Sequence, residues 1–241
     1  VLIMKICLLT RSHPPGDSRV NGRIANSLLD AGFEITMICR KDSIDKTAEE
    51  LNYLFPVTAI GYFLFRKIDI IGTILIFTKA IREKADLYIC FEIRTLAIGW
   101  ILKIIYKSKL IYDCHEFWPE KFAEILMPKK ANFIVKTSRM FEGWFAKHAD
   151  AIWTVNETLK NRFLGLVENI VVLPNYPRMK LFKEISTEAP ELNHKTYKSK
   201  KLIYVGGITK ARGISNCLLV LNELIKFDKE FQLILLGPFG Y

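Results

Sequence analysis

The chain has 241 residues, half of them hydrophobic and a quarter charged, a balance that supports a sizeable globular core and excludes a disordered polypeptide. Its formal net charge of +10, from 35 Lys and Arg against 25 Asp and Glu, favours anionic partners such as diphosphate ligands or membrane surfaces. Aromatic-basic interleaving of the RNA-binding kind and zinc-ligand spacings are both missing, so nucleic acid and a metal centre drop out.

Strand-like and helix-like patterns alternate along the chain. Met4–Thr10 reads as a strand, Val20–Ala31 as a helix and Glu34–Arg40 as a strand. A polar stretch runs to Leu54, followed by a short strand at Val57–Ile60. The helix Ile68–Lys84 leads to a strand at Asp86–Phe91, and Thr95–Tyr106 is helical. Lys109–Tyr112 is a strand, Asn132–His148 a helix and Ala151–Val155 a strand. Thr158–Phe163 makes a short helix, and Asn169–Leu173 a last strand. Such βα alternation with apolar strands implies an α/β fold, a Rossmann-like doubly wound parallel sheet. Ligands of such sheets bind at the carboxyl ends of the strands.

Two readings stay open for the apolar segment Ile68–Ile81, which Asp69 interrupts and which is too short to span a bilayer. It is either a helix buried in the core or one lying on an anionic membrane surface. In the second case Arg66, Lys67, Lys79, Arg82 and Lys84 would meet the headgroups. The five cysteines, Cys7, Cys39, Cys90, Cys114 and Cys217, are scattered and mostly within apolar runs, as reduced core thiols of a cytosolic protein would be. Leu2–Leu9 is short and carries Lys5, so it reads as a first strand rather than a secretory signal. A cytoplasmic location follows, with the inner face of the membrane as the surface a basic amphipathic helix would reach.

Pro174-Asn175-Tyr176-Pro177 ends the regular pattern, and the charged, aperiodic stretch Arg178–Lys200 reads as a linker. Residues 1–177 then form one domain and 201–241 the start of another. That second unit opens with an apolar strand, Leu202–Val205, which stops at Gly206-Gly207, and a helix begins near Gly213. Strand, glycine turn and helix start present backbone N–H groups and a positive dipole end to a phosphate. Lys210 and Arg212 either grip that phosphate or are solvated turn residues.

Three loops of the first domain fall at strand ends. The first, Thr10 to Gly22, has no G-x-G-x-x-G, which argues against a dinucleotide cofactor. There Asp17 and Ser18 are suited to cap the helix, while Arg19 and Gly22 would face a cleft if the loop binds a ligand. The second, Tyr112 to Glu120, places His115 beside Glu116, a pair able to donate to or orient a substrate hydroxyl. The third contains Asn156, which either caps the following helix or lines the cleft.

Taken together, Asp17-Ser18-Arg19, Ala31-Gly32-Phe33-Glu34, Tyr112-Asp113-Cys114-His115-Glu116, Leu173-Pro174-Asn175 and Tyr204 through Gly213 run in the order seen in one family. The chain resembles the amino-terminal part of a family 4 glycosyltransferase of the GT-B fold. That resemblance implies two Rossmann-like domains, the first on the acceptor side and the second binding a nucleotide-sugar. It implies a retaining hexosyltransferase of cell-envelope or glycoconjugate biosynthesis, acting on a sugar, lipid or glycan acceptor. No metal or other cofactor is implied, the nucleotide-sugar being a substrate. His115 would lie near the transferred sugar, with Gly206 after the first strand of the donor domain and Arg212 on the donor diphosphate. Gly207 stands where many relatives carry Arg, so Lys210 becomes the substitute cation. Relatives continue beyond Tyr241 with an acidic E-x7-E motif, so the donor domain is expected to be incomplete here. Two rival readings share these features: a sugar-nucleotide epimerase, and a non-catalytic acceptor-binding or membrane-docking half that needs a partner chain.

Overall fold

The computed structural model describes residues 3–41, 54–61, 70–126, 131–177, 179 and 200–239. The chain divides into two compact units between Met179 and Lys180. Most of the expected linker, and with it Arg66, Lys67 and Ile68, lies outside the described residues.

Among the described residues the first unit is built on seven strands: β1 (Lys5–Leu9), β2 (Glu34–Arg40), β3 (Val57–Ile60), β4 (Leu87–Cys90), β5 (Lys109–Cys114), β6 (Ala151–Thr154) and β7 (Ile170–Val172). All pair in parallel, in the order β3-β2-β1-β4-β5-β6-β7. The chain winds outward one way from β1 and the other way from β4, so the order reverses between them. Crevices at such a reversal are where doubly wound sheets hold ligands. The doubly wound α/β class read from the sequence is the class observed.

Both faces of the sheet are covered, which is why its strands read as continuous apolar runs. In β1, Cys7 and Leu9 point to one core and Ile6 and Leu8 to the other, all at most 1% exposed. The first core packs against α2 (Ile70–Glu83), α3 (Ile93–Tyr106), α5 (Ala131–Ala146) and α6 (Glu157–Asn161). The second packs against α1, which opens with a π-helical turn at Val20–Ala25 and continues as Asn26–Asp30. Burying one such aliphatic side chain stabilises the fold by about 1.5–3 kcal/mol. Four of the five cysteines lie in these cores, as their apolar surroundings suggested.

Helix α2 is neither of the two alternatives in pure form. Gly72, Ile76 and Ala80 are buried on the sheet, while Ile70, Ile71 and Ile74 are each more than half exposed, at 55%, 52% and 55%. Among the described residues no helix is long and apolar enough to cross a membrane.

Two departures from the sequence reading occur beside the ligand-binding end. Strand β5 continues through Asp113 and Cys114, which pair with Trp153 and Thr154 of β6. Aspartate is a poor strand former, so the pattern stopped at Tyr112. A helix absent from the reading, α4 (Trp118–Leu126), follows the loop after β5. Proline breaks a helix interior, yet Pro119 fits the first helical turn because its missing N–H would be unpaired there anyway. Glu120 in the same turn suits the positive dipole end.

The second unit comprises β8 (Lys201–Val205), a 3-10 turn at Lys210–Arg212, α7 (Ile214–Phe227) and β9 (Gln232–Leu236). Its two strands are parallel, Val205 aligning with Leu236. Its apolar surface is little covered, with Val205 75% and Phe227 87% exposed.

One glycine sets how closely α3 lies on the sheet. A Cβ at Gly99 would come 2.5 Å from Cys90 Sγ and 2.6 Å from Leu110 Cδ1, both fully buried side chains. Gly99→Val is expected to destabilise the first unit by about 1–3 kcal/mol through overpacking. The check is a lower urea midpoint with an unchanged slope.

Candidate active site at the carboxyl ends of β1, β4 and β5

Glu92 sits at the reversal point, immediately after β4, and is 3% exposed. Its Oε1 accepts from Thr10 Oγ1 at 2.6 Å, Arg11 N at 2.9 Å and Ser12 N at 2.6 Å. Its Oε2 accepts from Thr95 Oγ1 at 2.9 Å in the first turn of α3. One carboxylate thus fixes the loop after β1 to the start of α3. Arg11, itself buried, runs the other way and donates to the carbonyls of Ile60 and Gly61 at 2.9 and 2.6 Å.

A second buried charge lies one strand over. Asp113 is fully buried and receives Arg19 Nε at 3.1 Å on Oδ1 and Arg19 Nη2 at 2.8 Å on Oδ2. The remaining Arg19 nitrogen, Nη1, donates to Leu173 O at 3.1 Å and Asn175 Oδ1 at 2.7 Å. The guanidinium therefore ties the segments after β1 and β7 to strand β5. Arg19, expected to face a ligand cleft, is instead 5% exposed with its fork committed to the protein.

His115 follows two residues later. Its Nδ1 lies 3.0 Å from Asp113 Oδ1, so the carboxylate that orients it is Asp113 and not the adjacent Glu116. Glu116 turns outward and pairs with Lys121. The Nε2 of His115 lies 3.0 Å from Nε2 of His13, and His13 Nδ1 lies 2.8 Å from Asp17 Oδ2. The two side chains are 6% and 14% exposed, with Trp118 edge-on to both rings and Phe91 edge-on to His115. Four groups thus form a row: Asp17, His13, His115, Asp113.

Asp17 does cap α1. Its Oδ1 accepts from the N–H groups of Arg19 and Val20, both at 2.8 Å, while Ser18 Oγ accepts from Arg23. Burial opposes ionisation of Asp17, but the bond from His13 and these backbone N–H groups hold its carboxyl well below the usual range. Burial likewise opposes charge on His13, yet its bond to Asp17 and the negative charge of Glu92 and Glu116 raise its affinity for a proton. Gly22 lies on the first turn of α1, where an added Cβ would make only ordinary contact with Asp17 O at 3.9 Å. Asn156 is exposed and caps α6, its Oδ1 accepting from Leu159 N at 2.9 Å.

In the second unit, Gly206 has φ +147° at the end of β8, and its N–H donates to Leu236 O at 2.9 Å. Gly237 faces it so closely that a Cβ there would stand 1.9 Å from Gly206 O. Tyr204 Oη closes the turn onto Gly207 O at 2.9 Å. Lys210 and Arg212 are exposed on the 3-10 turn that Thr209 caps, immediately before Gly213 and α7. Among the described residues no group of three or more His, Cys, Asp or Glu is gathered as a metal cage requires.

Residues 16–176, which contain most of this constellation, match the profile of Glycosyltransferase Family 4. The chain belongs to glycosyltransferase family 4. Its fold is similar to that of HepE from Anabaena in complex with UDP, with a TM-score of 0.66 and 17% identity, over 99% of this chain and 62% of HepE. Sucrose-phosphate synthase from Thermosynechococcus elongatus gives a TM-score of 0.62 at 15% identity, over 97% of this chain and 62% of the synthase. The UDP-GlcNAc 2-epimerase of Methanocaldococcus jannaschii gives 0.57 at 12% identity, over 99% of this chain and 74% of the epimerase. At such identities the likeness speaks for the shared fold alone. This chain spans 62% of the length of each of the first two. No curated protein sequence gives a significant match.

His13, Glu92, Asp113 and Gly237 are among the residues of these two sites that sequence reasoning did not single out. Asp113 carried a usable signal, since residues two apart on a strand share a face and residues one apart do not. Its pairing with Arg19 is the constraint most open to measurement. Arg19→Ala strands the fully buried Asp113 carboxylate and is expected to cost the first unit about 3–5 kcal/mol. Chemical denaturation checks this, and a loss below about 1 kcal/mol, the value of an exposed pair, would contradict it.

Proposed function

We propose that this family 4 protein is a retaining glycosyltransferase that moves a hexose from a nucleotide-sugar to a sugar, lipid or glycan acceptor in glycoconjugate or cell-envelope biosynthesis. The observation that carries this reading is His115, oriented by buried Asp113 at the carboxyl end of β5, within the residues that match the family. In this reading the first unit serves the acceptor side, and Gly206, Gly207, Lys210 and Arg212 of the second belong to the donor site. Departure of a nucleoside diphosphate builds negative charge, which the exposed Lys210 and Arg212 and the positive end of α7 would stabilise. His115 would act on a hydroxyl of the transferred sugar, while Asp17, Arg19 and Asn156 hold the loops around it. Glu116, paired with Lys121, belongs to the loop that carries His115 and is the second candidate there. No resident metal or other cofactor takes part in the proposed reaction.

The family match favours transfer over the epimerase reading, although an epimerase is among the structural relatives. HepE has been crystallised with UDP-glucose, which makes UDP-sugars the first donors to assay. The net charge of +10 and the exposed Ile70, Ile71 and Ile74 of α2 favour peripheral contact with an anionic membrane at the cytoplasmic face. Acceptor-dependent release of nucleoside diphosphate by the full-length protein tests the main reading. An epimerised nucleotide-sugar formed without any acceptor would replace it with the epimerase reading.

His115→Ala in the full-length enzyme is expected to lower kcat by about 10²-fold while weakening donor binding much less. Steady-state kinetics beside donor calorimetry separates the two effects, and wild-type turnover would leave His115 a structural residue.

Arg212→Ala is expected to weaken nucleoside diphosphate binding by about ten- to a hundred-fold, the scale of one charge-assisted hydrogen bond. The nucleoside lacks the phosphate partner and should bind as before. Calorimetry with both ligands decides, since equal losses would assign Arg212 to the fold.

A further inference from the structure

The contact between His13 and His115 imposes a proton count. Two imidazole nitrogens 3.0 Å apart cannot both present lone pairs, and cannot both present N–H groups, without repulsion. One proton must lie between them. On the far side of each ring, Nδ1 faces a carboxylate, Asp17 at 2.8 Å and Asp113 at 3.0 Å. An ionised carboxylate only accepts, so both Nδ1 atoms carry hydrogen. Three protons on four nitrogens make one imidazolium per pair.

We propose that His13 and His115 hold a single shared proton between their Nε2 atoms, making His13 the positioning residue that fixes the protonation state and ring orientation of His115.

The surroundings agree with one positive charge and oppose two. From the loop after β1 and the start of α1 come Asp17 and Arg19, the latter spent on Asp113. Glu92 contributes negative charge from the end of β4, and Asp113 and Glu116 contribute it from β5 and the loop that follows. Lys121 of α4 faces Glu116. Trp118 and Phe91 enclose the rings and limit water. A second proton would set two imidazolium ions in direct contact, so the pair titrates in two separated steps. Burial opposes charge on His13, yet its bond to Asp17 and the negative charge of Glu92 and Glu116 raise its proton affinity.

The pair also limits what can approach His115. Its Nε2 is occupied, so a ligand must take over the contact that His13 makes. A hydroxyl gives one hydrogen bond and accepts another, so it can enter between the rings without changing the proton count. A carboxylate or phosphate can only accept there, so its entry requires a further proton. This preference for hydroxyls rests on the transferase reading above, whereas the shared proton does not.

The test uses ligand-free protein labelled with 15N-histidine and long-range proton–nitrogen NMR across pH. At pH 7 both Nδ1 atoms should report N–H and the two Nε2 atoms should share one proton. Two neutral rings titrating independently would overturn the proposal. His13→Gln should abolish the shared Nε2 proton and with it the coupled titration of the pair. An unchanged His115 signal in that variant would also overturn it. Should His13→Gln fail to fold, Asp17→Asn keeps an acceptor for the α1 N–H groups and removes the charge behind His13. It should let the shared proton leave at lower pH, and no change would count against the pair. These spectra need no turnover, so they test the shared proton even if the transferase reading fails. In an active full-length enzyme, His13→Gln should shift the pH profile of kcat while leaving the KM for donor nearly unchanged. A loss without any change in the profile would make His13 merely structural.

Discussion

The buried pair between Arg19 and Asp113 is the constraint on which the ligand-binding end of the first unit depends. Removing either ion from water costs several kcal/mol, which only close geometry and complete hydrogen bonding can offset. Both are present: a two-pronged bond, two further acceptors on Arg19, and His115 as a third donor to Asp113. The position of His115 is thereby inherited from a fold-level interaction. The ion pair that aims the histidine also closes the loops after β1 and β7 against β5. Stability and site geometry cannot be altered separately there, because they share atoms.

Much of the fold was legible because both faces of the sheet are buried. Strands β2 and β3 begin and end where their apolar runs do, and α7 starts at the glycine that marks it. What escaped notice lies where polar residues take on structural roles. Asp113 sits inside a strand because Arg19 compensates its charge, and strand propensity carries no record of a partner 94 residues away. Helix α4 escaped because Pro119 has opposite meanings at a helix interior and at its first turn.

The site was legible in part for the same reason. His115 stood out by its place after a strand, and Asp17 by its place before a helix. Their connection through His13 spans 102 residues between the two histidines, so no local spacing could announce it. Glu116 drew attention through adjacency in sequence, whereas alternation along the strand put Asp113 on the side of the histidine. In the second unit the glycine pair Gly206 and Gly237 shows the same limit. Gly206 is marked by the strand it ends, but the need for Gly237 arises from a backbone approach that only the fold creates.

Glu92 has a bearing on selectivity. At this point of a doubly wound sheet, backbone N–H groups after the first strand ordinarily stand ready for a phosphate. Here the N–H groups of Arg11 and Ser12 are already taken by the Glu92 carboxylate. A phosphate reaching that loop would find its donors spent and a fixed negative charge in their place. Uncharged polyols meet no such repulsion. The first unit thus carries its own anion where such a sheet ordinarily receives one from a ligand.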